Sequence, residues 1–167
     1  VSPHFTEDPV RALRAARQAA EFGFSIAEQT SRYMHACREE LQGEPQERIV
    51  AELRRALQAK RPSVFFRALE RAGILSVTFP ELSLLIGKTQ PPEYHPEGDA
   101  WQHTLLVVDR AASKTANVAA RFAALVHDLG KGTTVTVLLP MQPSRDGVEP
   151  LSRVLDVDQI QRVARRA

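Results

Sequence analysis

The chain has 167 residues, 43% of them hydrophobic, and a formal net charge of +2, which allows one core or two small ones sharing a surface. Its single cysteine, Cys37, excludes an internal disulfide framework and fits a reducing compartment. No apolar run approaches the roughly 18 residues of a membrane span and no signal-peptide pattern opens the chain, so the expectation is a soluble cytoplasmic protein with no membrane partner.

The cations are 18 Arg against 4 Lys. Arginine's planar fork suits phosphates and base edges better than lysine's point charge, which points toward a nucleotide or nucleic acid; solvated arginines on helix faces are the other account. The opening "VSPHFTEDP" has no initiator methionine and reads as a linker entering a helix, as in a fragment.

In chain order, "TEDPVRALRAARQAAEF" offers Thr6 as N-cap, Glu7 and Asp8 near the positive dipole end, and Pro9 in the first turn. Val10, Leu13, Ala16 and Ala20 share one side, and Gly23 ends the helix. "SIAEQTSRYMHACREEL" reads as a single helix with Met34, Cys37 and Leu41 on its apolar stripe. "QERIVAELRRALQAK" is expected to bury Ile49, Val50, Leu53, Ala56 and Leu57. Pro62 opens "SVFFRALERAG", with Gly73 as a left-handed cap, and Pro80 begins the short "FPELSLLIG".

At "QPPEYHPEGD" the composition changes to a Pro-rich loop, the best boundary candidate. Helices over 100–113 and 117–129 follow, with Asp99 and Asn117 as caps. Residues 132–147 read as loop, although "TTVTVLL" is β-prone, and a last helix is expected over 156–166. The fold class is all-α.

Two constellations carry chemistry. Asp8, Arg11, Arg14 and Arg17 stand at three-residue steps; each step advances about 300°, so they form a slanted stripe on one helix. Such a stripe of donors with one acceptor can bind a triphosphate and face a base edge, or it is a solvated face with i,i+3 ion pairs. In "LVHDLGKG", His127 adjoins Asp128, and His103 and His127 are equally distant from a turn centred near Thr115. In an antiparallel hairpin, residues equidistant from the turn sit at the same height. The three residues can therefore meet over one groove, and two imidazoles with a carboxylate suit Zn²⁺, Mn²⁺, Fe or Ni²⁺ better than Ca²⁺. Lys131, between Gly130 and Gly132, can reach a phosphate or simply favour a helix C-terminus. Arg54, Arg55, Lys60, Arg61, Arg67 and Arg71 form a further basic surface that fits RNA phosphates and solvated faces equally.

His103 with the downstream "HDLGKG" resembles the start of an HD-type metal phosphohydrolase domain. "TEDPVRALRAARQAAEFGFSIAEQT", "QERIVAELRRAL" and "VFFRALERAGILSVTFPEL" resemble the neck, and the segment after it, of bacterial CCA-adding tRNA nucleotidyltransferases. The resemblance implies a helical neck and body over 1–89 and a partial HD-type domain over 90–167. It implies tRNA, CTP and ATP as partners in tRNA 3′-end maturation and repair. In that family the ED-x-x-R motif and further arginines template nucleotide choice, a role that falls here on Glu7, Asp8, Arg11, Arg14 and Arg17. It also implies metal ligation by His103, His127 and Asp128, with His127, Asp128 and Lys131 as catalytic residues. The implied metals are Mg²⁺ for the parent transferase and Ni²⁺, Mn²⁺ or Zn²⁺ at the HD site.

Two departures matter. No Gly-Gly and no Asp-x-Asp precede the neck residues, so this segment is not expected to transfer nucleotides alone. No histidine follows His127, and none of Asp146, Asp156 and Asp158 stands in the context of the further Asp that closes such metal sites; the expectation is a remnant site. A free-standing HD phosphohydrolase and a non-catalytic helical RNA-binding module are the competing readings.

Overall fold

A computed structural model describes residues 3–90 and 97–133 of the chain. Among them every regular element is helical: a 3-10 turn, Pro3–Glu7, and ten helices, α1 Val10–Phe22, α2 Glu28–Ala36, α3 Arg38–Gln42, α4 Gln46–Ala56, α5 Ser63–Arg71, α6 Leu75–Thr78, α7 Pro80–Ser83, α8 Ala100–Lys114, α9 Val118–Val126 and α10 Gly130–Thr133. The fold is all-α. No helix of the described residues is long and apolar enough to cross a membrane. The β-prone "TTVTVLL" beyond Thr133, the rest of the expected 132–147 loop and the helix expected over 156–166 lie outside the described residues, as do positions 91–96 of the Pro-rich loop.

α1 is the central strut, packed on both α4 and α5. Ala12, Leu13, Ala16 and Ala20 are buried on it, and the small alanines let both neighbours approach closely. Thr6 does not cap α1: it lies in the 3-10 turn, Pro9 takes the cap position, and the Asp8 carboxylate accepts from the Val10 N–H at 3.3 Å. Where one helix is expected over 25–41, the structure has two, broken at Cys37. There the backbone N–H turns to the Met34 carbonyl three residues back, and the thiol donates to the Tyr33 carbonyl at 3.3 Å. Neither Gly nor Pro marks the break. Burial pushes the Cys37 thiol up, which keeps it in the donor form. Val50, expected inside, is exposed; it lies beside the α4 stripe of Ile49, Leu53 and Ala56 and points to solvent.

α5 is fixed at both ends. At its start the Asp109 carboxylate of α8 accepts from the Ser63 N–H at 2.9 Å and the Ser63 hydroxyl at 2.6 Å, a cap supplied across the core rather than from local sequence. At its end Gly73 has φ +70°, and the Ile74 and Gly73 N–H groups return to the Leu69 and Glu70 carbonyls, the paired bonds of a left-handed helix stop. Any side chain there would meet His35 Nδ1 at 3.1 Å as well as adopt a strained φ. Trp101 of α8 is fully buried, edge-on to Phe66 at 6.4 Å, and its indole N–H donates to Glu70 at 2.8 Å.

α8 and α9 form an antiparallel hairpin. The expected caps are in place: Asp99 accepts from the Gln102 N–H at 3.0 Å and Asn117 from the Ala119 N–H at 2.9 Å. Arg121 of α9 is 6% exposed, and its guanidinium donates to the carbonyls of Leu57 at 2.5 Å, Ala59 at 3.0 Å, Thr115 at 2.7 Å and Ala112 at 3.0 Å. One planar fork thus satisfies the orphan carbonyls at the ends of both α4 and α8 and ties the hairpin to the body.

Arg121→Ala strands those buried carbonyls, each costing about 1–3 kcal/mol when unsatisfied. Urea unfolding should show a loss of at least about 3 kcal/mol, and Arg121→Lys should recover little of it because an ammonium cannot span four acceptors. A loss within about 0.5 kcal/mol, the usual surface range, would show that the guanidinium does not hold the two parts together.

Candidate functional site

The arginine stripe is not a uniform solvated face. Glu52, on the buried side of α4, is 2% exposed and accepts from Arg17 Nε at 2.7 Å and Arg14 Nε at 3.3 Å, with Arg55 at 3.5 Å. A buried carboxylate requires such partners. Arg17 also pairs with Glu21 at 2.5 Å, and its side chain is only 15% exposed. Arg14 keeps its outer face in solvent and approaches Asp8 Oδ2 at 3.4 Å.

Asp8 in turn accepts from Arg48 of α4 at 2.8 Å. Burial alone would raise its carboxyl; the hydrogen bond and charge of Arg48, the Val10 N–H and the charge of Arg14 outweigh that and hold it below its ordinary value. Arg48, gaining Asp8 and Glu44, is shifted up. Glu7 and Arg11 stand apart from this cluster: Glu7 is exposed and pairs with His4, and Arg11 donates to the His4 carbonyl. The structure therefore joins Asp8, Arg14 and Arg17 to two residues that the sequence reading missed, Arg48 and Glu52. Glu52 had a legible signal, a charged residue inside the apolar stripe of Ile49, Leu53 and Ala56. Arg48 had none, since its partner is 40 residues away.

On the hairpin, His103 and His127 face each other, ring centroids 5.4 Å apart. Asp128 Oδ2 lies 3.3 Å from His127 Nε2 and 3.9 Å from His103 Nε2, and the donor atoms of all three lie within 4.8 Å of one another. Each ring is oriented through its other nitrogen: His103 Nδ1 by Glu97, His127 Nδ1 by the Ala124 carbonyl at 2.8 Å. Both Nε2 atoms are thereby directed at the same space, the arrangement of metal-ligating imidazoles. α9 stops at Val126 rather than running to 129, so His127 and Asp128 leave the helix in its terminal turn.

Lys131 Nζ donates to Asp128 Oδ2 at 2.7 Å and Gln90 Oε1 at 2.6 Å. The other end of the same amide, Gln90 Nε2, is buried with no partner among the described residues. Lys131 is placed by a close approach: a Cβ on Gly132 would meet the Leu84 Cβ at 2.9 Å. Gln90 is placed by a strap in which its N–H returns to the Gly98 carbonyl and the Ala100 N–H to Lys88.

Residues 23–85 match the protein family described as "Probable RNA and SrmB- binding site of polymerase A". The chain is 48% identical over 145 residues to the multifunctional CCA protein of Thioalkalivibrio sulfidiphilus, a match covering 84% of this chain and 36% of that protein. It is 47% identical to the protein of the same name from Nitrosospira multiformis, over 80% of this chain and 33% of that one. For the Neisseria gonorrhoeae protein the identity is 44%, over 92% and 38%. The chain thus spans about a third of the length of the curated relatives it matches. No solved structure matches it.

The depressed Asp8 carboxyl makes a stability prediction with a definite sign. Its contribution is fully present above the unfolded value of 3.8 and is lost as pH falls through the lower folded value. In urea unfolding, the wild type should be more stable than Asp8→Asn at about pH 6, with the gap closing below about pH 4. A gap that widens on acidification would contradict the Asp8–Arg48 pairing.

Proposed function

Because the chain belongs to the family of the multifunctional CCA proteins and spans about a third of their length, we propose that it supplies the nucleotide-selecting neck and tRNA-supporting body of a CCA-adding tRNA nucleotidyltransferase. In this reading residues 1–89 are neck and body, and 90–167 are an HD-type domain. The observation that carries it is the fixing of Arg14 and Arg17 on buried Glu52 beside Asp8, which turns two flexible side chains into oriented donors.

Each residue type suits one part of a nucleotide. Arg14 and Arg17 offer paired N–H donors to a base edge or phosphate. Asp8 accepts only, so it reads an exocyclic amine, which CTP carries on a one-ring base and ATP on a two-ring base. Its Oδ1 is committed to Arg48 and the Val10 N–H, whereas Arg14 approaches Oδ2 no closer than 3.4 Å. Oδ2 therefore keeps acceptor capacity. Transfer itself requires metal-binding carboxylates that the resemblance places in a head domain, with Mg²⁺; the neck's part is selection. Alone on an open helix face these contacts are weak, so the isolated chain is expected to bind CTP and ATP poorly.

The test is a graft of this segment in place of the corresponding residues of the Thioalkalivibrio sulfidiphilus protein. Arg14→Ala should lower nucleotide incorporation at least about tenfold, the equivalent of losing one charge-assisted bond of about 1.5–3 kcal/mol. Asp8→Ala should alter the ratio of CTP to ATP incorporated, and Gln18→Ala, exposed on the same helix, should change neither. Normal incorporation of both nucleotides by the Asp8 and Arg14 variants would refute the templating role.

A second reading applies to the hairpin, supported by the three converging donors. His103, His127 and Asp128 fit a divalent ion such as Ni²⁺, Mn²⁺ or Zn²⁺, which would supply Lewis-acid activation of a phosphoester. Lys131 and the unpartnered Gln90 Nε2 offer donors for phosphate oxygens. Lys131 also neutralises Asp128, so an ion enters against a resident cation and affinity is expected to be weak. Calorimetric titration should show that binding is lost in His103→Ala and Asp128→Ala and weakened about 10–100-fold in Glu97→Gln, whose carboxylate orients His103. Hydrolysis of 2′,3′-cyclic nucleotides should be slight. Robust metal-dependent turnover that vanishes in Asp128→Ala would favour the free-standing phosphohydrolase instead.

A further inference from the structure

A groove of about 200 Å³ runs between the face of α5 and the segment joining α1 to α2. Ile26, Val64 and Ala68 give it an apolar lining, with Phe24 at one edge and Arg67 and Arg71 along the other. Val64, Arg67, Ala68 and Arg71 recur at helical spacing, so one face of α5 presents two cations above a strip of hydrocarbon. Phe24 is 65% exposed and Phe22 59% exposed; their rings lie 5.6 Å apart. Among the described residues no carboxylate lines the groove. Arg67 donates to Gln102 at 2.8 Å, while Arg71 is exposed and enters no ion pair or hydrogen bond among the described residues.

Large aromatic rings held in water beside arginines are costly for a surface that has no partner. An apolar groove, an exposed ring and a cation at the rim match the parts of one unpaired nucleotide: a π-face to stack, a body to bury and a phosphate to neutralise. The volume admits a base with its sugar but is far too small for a duplex. None of Asp8, Arg14 and Arg17 lines the groove, so one helix can serve two separate nucleotide contacts.

We propose that this groove takes a single unpaired nucleotide of an RNA strand, with the base on Phe24 and the apolar lining and the adjoining phosphate on Arg71 and Arg67. The inference rests on the RNA-binding part of the proposed function, and it is supported by the position of the groove residues from Phe24 to Arg71 inside the 23–85 match.

The test is fluorescence anisotropy of the full chain with a labelled single-stranded decanucleotide and with a blunt RNA duplex, over a salt series. Base stacking on an aromatic ring and one phosphate contact each carry a substantial share of single-strand affinity. Phe24→Ala should therefore weaken single-strand binding at least about fivefold without changing its salt dependence, and Phe24→Trp should restore it. Arg71→Ala should weaken it and lower the salt slope by about 0.7, the share of one phosphate in a single strand. Duplex binding should change less in the Phe24 variant. Circular dichroism should be unaltered, since both side chains are exposed. If the wild type binds the strand and both variants bind it equally well, the groove proposal is wrong while RNA binding stands, and an apolar protein segment becomes the occupant left to the groove. If the wild type binds neither RNA at low salt, the RNA-binding reading itself fails.

Discussion

A carboxylate taken out of water must be neutralised where it stands, and Glu52 sets that condition at the centre of this protein. It sits on the buried stripe of α4, facing α1, and it is met by Arg17 and Arg14. Burial of such a group contributes little net stability, because desolvation offsets the attraction. Its effect is geometric. The register of α1 against α4 is the one that brings two arginines to one acid, and the same register brings Arg48 to Asp8. Two long side chains that would otherwise sample many rotamers leave their outer donors at defined positions next to an acceptor. Preorganisation of this kind is what a selecting surface requires.

The hairpin depends on a different buried charge. Arg121 makes four hydrogen bonds to carbonyls from the segment just after α4, from α8 and from the turn between α8 and α9, and Asp109 reaches back to open α5. These exchanges cross between the two segments read as body and HD-type domain, so the histidine pair is held at a fixed place relative to the arginine cluster. Around the pair, the supporting contacts are as informative as the ligands. Glu97 and Ala124 occupy the Nδ1 atoms, and Lys131 occupies Asp128, so the donors converge on a space whose charge is already partly balanced.

Much of this was legible in the sequence for a physical reason: helical period, caps and equal spacing about a turn are local or near-local properties. The apolar stripes of α1 and α4, the caps at Asp99 and Asn117, the stop at Gly73 and the levelling of His103 with His127 all follow from residues within one element or one hairpin. The misreadings came from local departures from helical period and from tertiary contacts. Cys37 breaks a helix through its own thiol and amide bonding, without a Gly or Pro to announce it. Thr6 lost the cap to a 3-10 turn, and Val50 lay one position off the buried face. Arg11, an equal member of the stripe on paper, turns to His4 as Glu7 does, because the stripe is sorted by what α4 offers opposite it. Arg48, Glu52 and the four-carbonyl role of Arg121 depend on partners at long sequence distance, which periodicity does not encode.

The central claim is that Glu52 acts through Arg14 and Arg17 to hold a nucleotide-selecting surface. A double-mutant cycle in the grafted nucleotidyltransferase tests it most directly, with incorporation of CTP and ATP measured for Glu52→Gln, Arg17→Ala and the double variant. Glutamine keeps the shape of Glu52 but not its charge. The account predicts that Glu52→Gln lowers incorporation and blurs the choice between the two nucleotides, and that its effect is smaller in the Arg17→Ala background, where only Arg14 is left for Glu52 to hold. Unchanged incorporation by Glu52→Gln, or losses that simply add in the double variant, would contradict it.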